Sequence, residues 1–262
     1  MASSMVGQDA HGGFPKDWRA VEFDEIDSTN SEAMRRAAAG ERGPLWLTAR
    51  AQTGGRGRSG RRWTSPADSL AANLLFSPGC PMGALAQLSL VSGVAAHDAI
   101  SAVLPETARY RVRLKWPNDV LIDRAKVSGI LVETSTFAHD TVAVIGTGIN
   151  IGAAPEIAGR DTAALLANGA SAGFDEVSRR LAIALAKWIG TWDRGREFSA
   201  VRQAWLARAR ALGEPMTVNV GGEVVAGRFA GLDGAGGLLL DVGYGPPRIF
   251  SFGDVALVSP SV

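Results

Sequence analysis

Residues 112–150 constrain the fold more than any other stretch of this chain. Short runs rich in Val, Ile and Leu follow one another closely, at 112–116, 119–122, 126–134 and 141–145. Such residues fit a pleated, half-buried surface, and the runs have strand length. Pro117 lacks the donor a ladder needs and breaks the first run, which resumes at Asp119. Asp123-Arg124 is a turn, and Gly146-Thr147-Gly148-Ile149-Asn150 ends the last strand. The expected result is a β-meander. Helices arrive on both sides of it. Residues 84–104 carry Leu85, Leu88, Val91, Ala95 and Ile100 at helical spacing, and residues 174–194 carry Leu181, Leu185 and Trp188. This order favours an α+β layer over a doubly wound parallel sheet.

The remaining elements follow from local signals. Strands are expected at 21–23, 45–49 and 70–76, and helices at 162–168 and 198–211. A helix over 31–39 has Asp27, Ser28 and Thr29 as available N-caps and Gly40 as its stop. The texture changes near residue 212. From 216 to 258 short β-like runs alternate with Gly221-Gly222, Asp233-Gly234, Gly236-Gly237 and Gly243, a pattern that suits a small barrel. The chain therefore divides into a disordered tail (1–17), a large domain (18–212) and a small one (213–262). Its 262 residues are enough for that pair. Cys80 is the single cysteine, so no intrachain disulfide forms and a reducing cytoplasm is the expected compartment. The first residues lack the apolar segment of a signal peptide, and no apolar run is long enough to span a membrane.

Positive charge concentrates in one place, Ala51-Gln52-Thr53-Gly54-Gly55-Arg56-Gly57-Arg58-Ser59-Gly60-Arg61-Arg62-Trp63. Glycine lets a backbone approach a ligand closely, and arginine offers a planar fork of donors for carboxylate and phosphate. Trp63 adds a flat apolar surface. From these residues alone two readings stay open: a loop that closes over an anionic ligand with a flat ring, and a solvated Arg/Gly linker. The whole chain carries 27 Lys+Arg against 26 Asp+Glu. A general nucleic-acid surface would be far more basic. The loop is not a P-loop, since no Gly-Lys-Ser/Thr follows, and Gly146-Thr147-Gly148 lacks the third glycine of a dinucleotide fingerprint. His11, His97 and His139 are scattered, so neither a zinc site nor a Cys-His nucleophile pair has support. Two further clusters stand out. Lys115-Trp116-Pro117-Asn118-Asp119 puts a cation, a rigid corner, an amide and a carboxylate at a strand break. Lys126-Val127-Ser128-Gly129-Ile130-Leu131-Val132-Glu133 sets a lysine at the head of an apolar strand. Each alone also reads as a turn or a strand end.

Taken in order, these motifs resemble the biotin–protein ligases: Asp27-Ser28-Thr29-Asn30, Gln52-Thr53, the Gly55-to-Trp63 loop, Lys115 to Asp119, Lys126 to Glu133, and Gly146 to Asn150. The resemblance covers about residues 20–258. It implies a mixed central sheet flanked by helices, the class II synthetase-like biotin/lipoate ligase fold, with a small C-terminal SH3-like β-barrel. It implies that biotin and ATP give biotinyl-5′-AMP, with Mg²⁺ on the phosphates. The biotinyl group then passes to a lysine of biotin carboxyl carrier protein, the partner in biotin-dependent carboxylases. By the same resemblance, Ser28, Thr29, Asn30 and Gln52 meet the biotin ureido ring or its neighbourhood. Gly55, Arg56, Gly57 and Arg58 cover the biotin carboxyl and the α-phosphate. Lys126 contacts both and leads the catalytic set, with Arg58, Lys115 and Asp119. Gly129 and Ile130 form the biotin floor. Arg61 and Trp63 lie at the adenylate, Asn118 and Asp119 by the phosphates or ribose, and Asn150 at the adenine edge. Asp119 also helps the incoming lysine, and metal ligands stay unassigned.

The loop over residues 53–63 is expected to be mobile when empty and ordered when occupied, which would shield the acyl-adenylate from water. Two departures matter. Ser28 lies too near the start for the winged helix-turn-helix of many bacterial members. The expectation is therefore a ligase-only class with no DNA partner, no membrane association, and a monomer or weak homodimer. Thr162-Ala163-Ala164-Leu165 lacks the serine common in that position of the family. A lipoate–protein ligase and an Arg/Gly nucleic-acid binder are the rival functions.

Overall fold

The computed structural model describes residues 3–5, 14–66, 68–137 and 139–258. The strands of the large sheet are β1 (Ser3–Met5), β2 (Arg19–Ile26), β3 (Leu45–Gln52), β4 (Ser69–Phe76), β5 (Val112–Lys115), β6 (Asp119–Ile122), β7 (Ala125–Phe137) and β8 (Asp140–Asn150). They lie in the order β1-β2-β3-β4-β8-β7-β6-β5. β2 and β3 are parallel and every other neighbouring pair is antiparallel, so the sheet is mixed. The helices are α1 (Thr29–Ala38), α2 (Leu88–Val103), α3 (Glu106–Arg109), α4 (Phe174–Trp192) and α5 (Phe198–Arg208).

Strand side chains alternate between faces, and the helices divide accordingly. Ala33 and Ala37 of α1 pack on Val21, Leu45, Leu47, Leu75, Val142 and Val144 on one face. α2, α4 and α5 cover the other, where Leu88, Val91, Leu181, Leu185 and Trp205 join Leu74, Ile145 and Ile149 in the main core. α1 is short, so it leaves part of its face open.

A second, antiparallel sheet follows, with β9 (Pro215–Val220), β10 (Glu223–Leu232), β11 (Leu238–Asp241), β12 (Arg248–Phe250) and β13 (Asp254–Leu257). Its order is β12-β11-β10-β9-β13. The small SH3-like unit is thus an open sheet rather than a closed barrel, because its edge strands β12 and β13 do not pair with each other.

Three local expectations change. The run at 112–122 does not resume after Pro117 but turns back, and Lys115 pairs with Asp119 in a β5–β6 hairpin. Trp116, Pro117 and Asn118 make the turn, with a cis Trp116–Pro117 bond; a residue without an N–H is better placed there than in a ladder. The helix over 84–104 begins as a 3-10 turn, Met82–Gln87, before α2. The helix over 162–168 shrinks to a 3-10 turn at Leu166–Asn168. Its first residues are held elsewhere: the Lys126 N–H donates to the Asp161 carbonyl (2.8 Å), and the Ala163 N–H donates to the Lys126 carbonyl (2.9 Å).

Of the tail expected over 1–17, residues 1–2 and 6–13 lie outside the described residues. Ser3–Met5 pairs with β2 at Val21, Glu22 and Phe23, and Phe14 stacks edge-on against Trp18 with ring centroids 6.3 Å apart. Residues 259–262 also lie outside the described set. Among the described residues no helix is long and apolar enough to cross a membrane.

Candidate active site

The open half of the α1 face holds a cleft of about 580 Å³. The strands make room for it by shrinking their side chains. On β8, Val142 and Val144 lie beneath α1, and then come Gly146 and Gly148. Gly146 is opposite Asn73 of β4 and Leu131 of β7, and Gly148 is opposite Ala71 and Gly129. Opposed residues share a face. A Cβ on Gly146 would lie 2.0 Å from Asn30 Oδ1, and one on Gly148 would lie 2.4 Å from the Trp63 ring. The glycines therefore admit two specific visitors, the amide of Asn30 and the indole of Trp63.

The N-terminal end of α1 forms one wall. Ser28 caps the helix, its hydroxyl accepting from the Ser31 N–H at 3.4 Å. The Thr29 N–H and hydroxyl both donate to Gln52 Oε1, at 2.8 and 3.2 Å. This commits the Gln52 carbonyl and leaves its amide nitrogen as the donor at the cleft.

The Gly/Arg loop forms the roof. It closes on itself through Trp63 N–H to the Gly55 carbonyl (2.9 Å), Gly57 N–H to the Arg61 carbonyl (2.7 Å) and a bridge between Arg56 and Arg62. Each of three arginines has its own anchor. Arg56 donates to Glu133 Oε2 at 2.9 Å. Arg58 donates to Asn118 Oδ1 (3.2 Å) and the Gly253 carbonyl (3.3 Å). Arg61 pairs with Asp254 of β13. Burial pulls the Arg58 guanidinium below its usual pKa, with the charges of Asp254 and Asp119 opposing that shift.

The β5–β6 hairpin and the head of β7 form the far wall. Asp119 sits between two ammonium groups, Lys115 Nζ at 2.9 Å and Lys126 Nζ at 2.5 Å. Burial alone would raise the Asp119 pKa, but the two lysine charges outweigh it and hold the carboxyl at about 2. Lys115 also donates to the Val255 carbonyl at 3.2 Å, and Lys126 Nζ lies 5.5 Å from the centre of the Trp63 ring, a cation–π distance. Asn118 and Ile130 clasp each other, Asn118 Nδ2 to the Ile130 carbonyl (2.7 Å) and Ile130 N–H to the Asn118 carbonyl (2.9 Å).

Every residue given a catalytic or binding role from sequence lines this cleft except Gly55 and Asn150. Gly55 is buried behind Trp63. Asn150 is buried as well, its Nδ2 donating to the carbonyls of Ala163 (3.0 Å) and Lys126 (3.4 Å), while its Oδ1 has no partner. It braces the segment that carries Lys126. Two residues that do line the cleft contribute differently from the biotin-contact expectation. The Ile130 side chain belongs to the main core, so its backbone is what the cleft meets. Both ends of the Asn30 amide are committed within the protein, to Asn73 and to Glu133.

Sequence reading gave no site role to Glu133, Asp254, Arg124 or Arg160, of which the last three line the cleft. Glu133 had a signal, as the one charge closing an apolar strand. Asp254 had none, because its register against the loop is set by the second sheet. Among the described residues no three of His, Cys, Asp and Glu gather as a metal site. The cleft lining is cationic, with Arg58, Arg61, Lys115, Lys126, Arg124 and Arg160 around the flat indole of Trp63.

The comparisons agree with that chemistry. Residues 23–150 match the biotin/lipoate A/B protein ligase family, and residues 211–258 match the biotin protein ligase C-terminal domain. The chain is 39% identical over 221 residues to a biotin–[acetyl-CoA-carboxylase] ligase of Paracoccus denitrificans, covering 82% of this chain and 90% of that one. It is 34% identical over 247 residues to the ligase of the same description from Mycobacterium tuberculosis, covering 91% and 89%. Among solved structures, the Aquifex aeolicus biotin protein ligase in complex with biotin and ATP superposes with a TM-score of 0.75 at 27% identity, over 91% of this chain and 98% of that one.

Proposed function

Because the chain belongs to the biotin protein ligase family, we propose how its own cleft carries out that family's reaction. The enzyme activates biotin with ATP as biotinyl-5′-AMP and ligates it to a carboxylase. In the first step a biotin carboxylate oxygen attacks the α-phosphorus and the bond to pyrophosphate breaks. In the second, a lysine amine of biotin carboxyl carrier protein attacks the acyl carbon, AMP leaves, and the amine proton passes to solvent.

The observation that carries the residue assignment is the pair of ammonium groups on one carboxylate that is only 12% exposed. Bringing a carboxylate to a polyphosphate is opposed by charge, and fixed cations in a partly dry site relieve that repulsion. Lys126 is assigned to the biotin carboxylate and α-phosphate oxygens, and Lys115 and Arg58 to the phosphates. Asp119 is a weak base with a pKa near 2. With the lysines in place, its part is to set their spacing. Thr29 and Gln52 present the polar end of the biotin slot, beside the Trp63 ring on its glycine shelf. Arg61, Arg124 and Arg160 serve the pyrophosphate side. Mg²⁺ would enter in this reading with the ATP phosphates, which supply hard oxygen ligands, and would offset their charge.

The chain acts as a ligase without a DNA partner, in the cytoplasm, as a monomer or weak homodimer. A formal net charge of +1 supports the first point. The bridge from Leu114 to Ala209, which covers the β5 edge, supports the last.

The deciding experiment is ATP-dependent transfer of labelled biotin to a purified carrier domain, with lipoate in a parallel reaction. Biotin transfer with little lipoate transfer is expected. Equal use of lipoate would sink the substrate assignment.

A further inference from the structure

Glu133 does not line the cleft, yet it ends the strand motif that carries Lys126 and Gly129. Its Oε2 accepts two hydrogen bonds, from Asn30 Nδ2 at 2.9 Å and from Arg56 Nη2 at 2.9 Å. The Asn30 amide is held in that sense from behind. Asn73 is fully buried, and its Nδ2 donates to Asn30 Oδ1 at 2.6 Å. Gly146 leaves the space in which the Asn30 amide sits. A polar chain thus runs from the interior of the sheet, Asn73 to Asn30 to Glu133, and ends on the first arginine of the loop.

The other loop anchors differ in kind. Arg58 reaches Asn118, and Arg61 reaches Asp254; both anchors line the cleft, where an entering polyphosphate competes for the same guanidinium groups. Glu133 itself lies behind the cleft lining, although its partner Arg56 is part of that lining. A carboxylate fixed by a buried amide also loses little freedom on pairing, which favours a charge-assisted bond.

We propose that Glu133 is a positioning residue: through Arg56 it holds the base of the loop over the mixed anhydride and slows its escape. This rests on the adenylate reading of the cleft. It assigns Glu133 to retention and not to bond making, so formation and escape of the adenylate separate in its variants.

The test uses the full chain with Glu133→Ala and Glu133→Gln. Pyrophosphate release reports adenylate formation. Loss of preformed radiolabelled biotinyl-AMP from enzyme on rapid filtration, without carrier, reports escape. Labelling of a bystander protein such as serum albumin reports what the escaped adenylate does. For Glu133→Ala, escape is expected to rise about fivefold, the scale of one partly exposed ion pair and its hydrogen bond. Bystander labelling should rise with it, and formation should stay within about twofold. Glu133→Gln should fall between, because its amide oxygen still accepts both bonds without the charge. Arg56→Ala combined with Glu133→Ala should leak no faster than the leakier single variant. Unchanged escape in Glu133→Ala, additive leakage in the double variant, or a parallel fall in formation, retention and melting temperature would each overturn the proposal. A wild-type chain that forms no adenylate would instead overturn the reading beneath it.

Discussion

Two carboxylates in this molecule are held at the same low pKa by different means. Asp98 lies among the helices. Arg208 Nε of α5 donates to it at 2.8 Å and Trp188 Nε1 of α4 at 2.9 Å, with His97 Nδ1 at 3.4 Å. Burial would raise its pKa, but the bonds from His97, Trp188 and Arg208 and the Arg208 charge hold it at about 2. Asp119 reaches about 2 through two lysines alone. The donors on Asp98 are planar groups wedged between helices, with Arg208 stacked 5.5 Å from the Trp188 ring centre. The donors on Asp119 are compact ammonium heads on flexible stems. One carboxylate pins α2, α4 and α5 together. The other holds two cations of the cleft in place. A depressed pKa therefore does not mark a catalytic centre by itself, since it accompanies rigid and flexible partners alike.

Variants should separate the two. The largest effect is expected for Lys126→Ala, which should lower the rate of biotin-dependent pyrophosphate release by about 10²–10³-fold with the melting temperature nearly unchanged. Near-normal release would remove Lys126 from the chemistry. Asp119→Asn should follow, with roughly a tenfold to hundredfold loss of the same rate, because its lysines lose their spacing. Its melting temperature should move less than that of Asp98→Asn, since ammonium groups freed from Asp119 can swing into water. Asp98→Asn should leave the rate per folded molecule unchanged and cost on the order of 2 kcal/mol of stability, seen as a midpoint lower by about 4–8 °C. If Asp119→Asn proves the less stable of the two, the contrast fails.

The smallest effect is in pH. Folding depresses both carboxyls from 3.8 to about 2. Each thus favours the folded state fully above about pH 4 and ceases to do so as the pH falls towards 2. Urea midpoints followed from pH 5 to pH 2 should drop across that window, and the drop should be shallower in Asp98→Asn.

What the sequence revealed about the site follows from how local each feature is. The Gly/Arg loop, the lysine heading β7 and the cluster from Lys115 to Asp119 are contiguous in sequence, and their chemistry could be read residue by residue. The mixed layer was legible because strand-length apolar runs and helix-length periods alternate visibly. The hairpin at Pro117 was not, since a strand that pauses and one that turns back look alike until register is known. The helix over 162–168 failed because a competing partner, the backbone at Lys126, took its first residues. Glu133 could be seen but not interpreted, because its meaning depends on Asn73 and Asn30, distant in sequence and brought to its side by the sheet. Asp254 could not be found at all, because its role is fixed by where β13 lies against the loop.

Lys115 reaches the carbonyl of Val255, and Arg58 that of Gly253. Contacts made to main-chain oxygens do not depend on which side chains β13 carries. The Val255 contact is thus indifferent to the side chain at that position, whereas Gly253 adopts a φ of +143°, which favours glycine, so the Arg58 contact ties the cleft to the identity of that one residue. A chain cut before Pro215 would lose both contacts at once. The small sheet thus serves the cleft by the course of its backbone, which must pass through Gly253 and Val255 at the right distance from two cations.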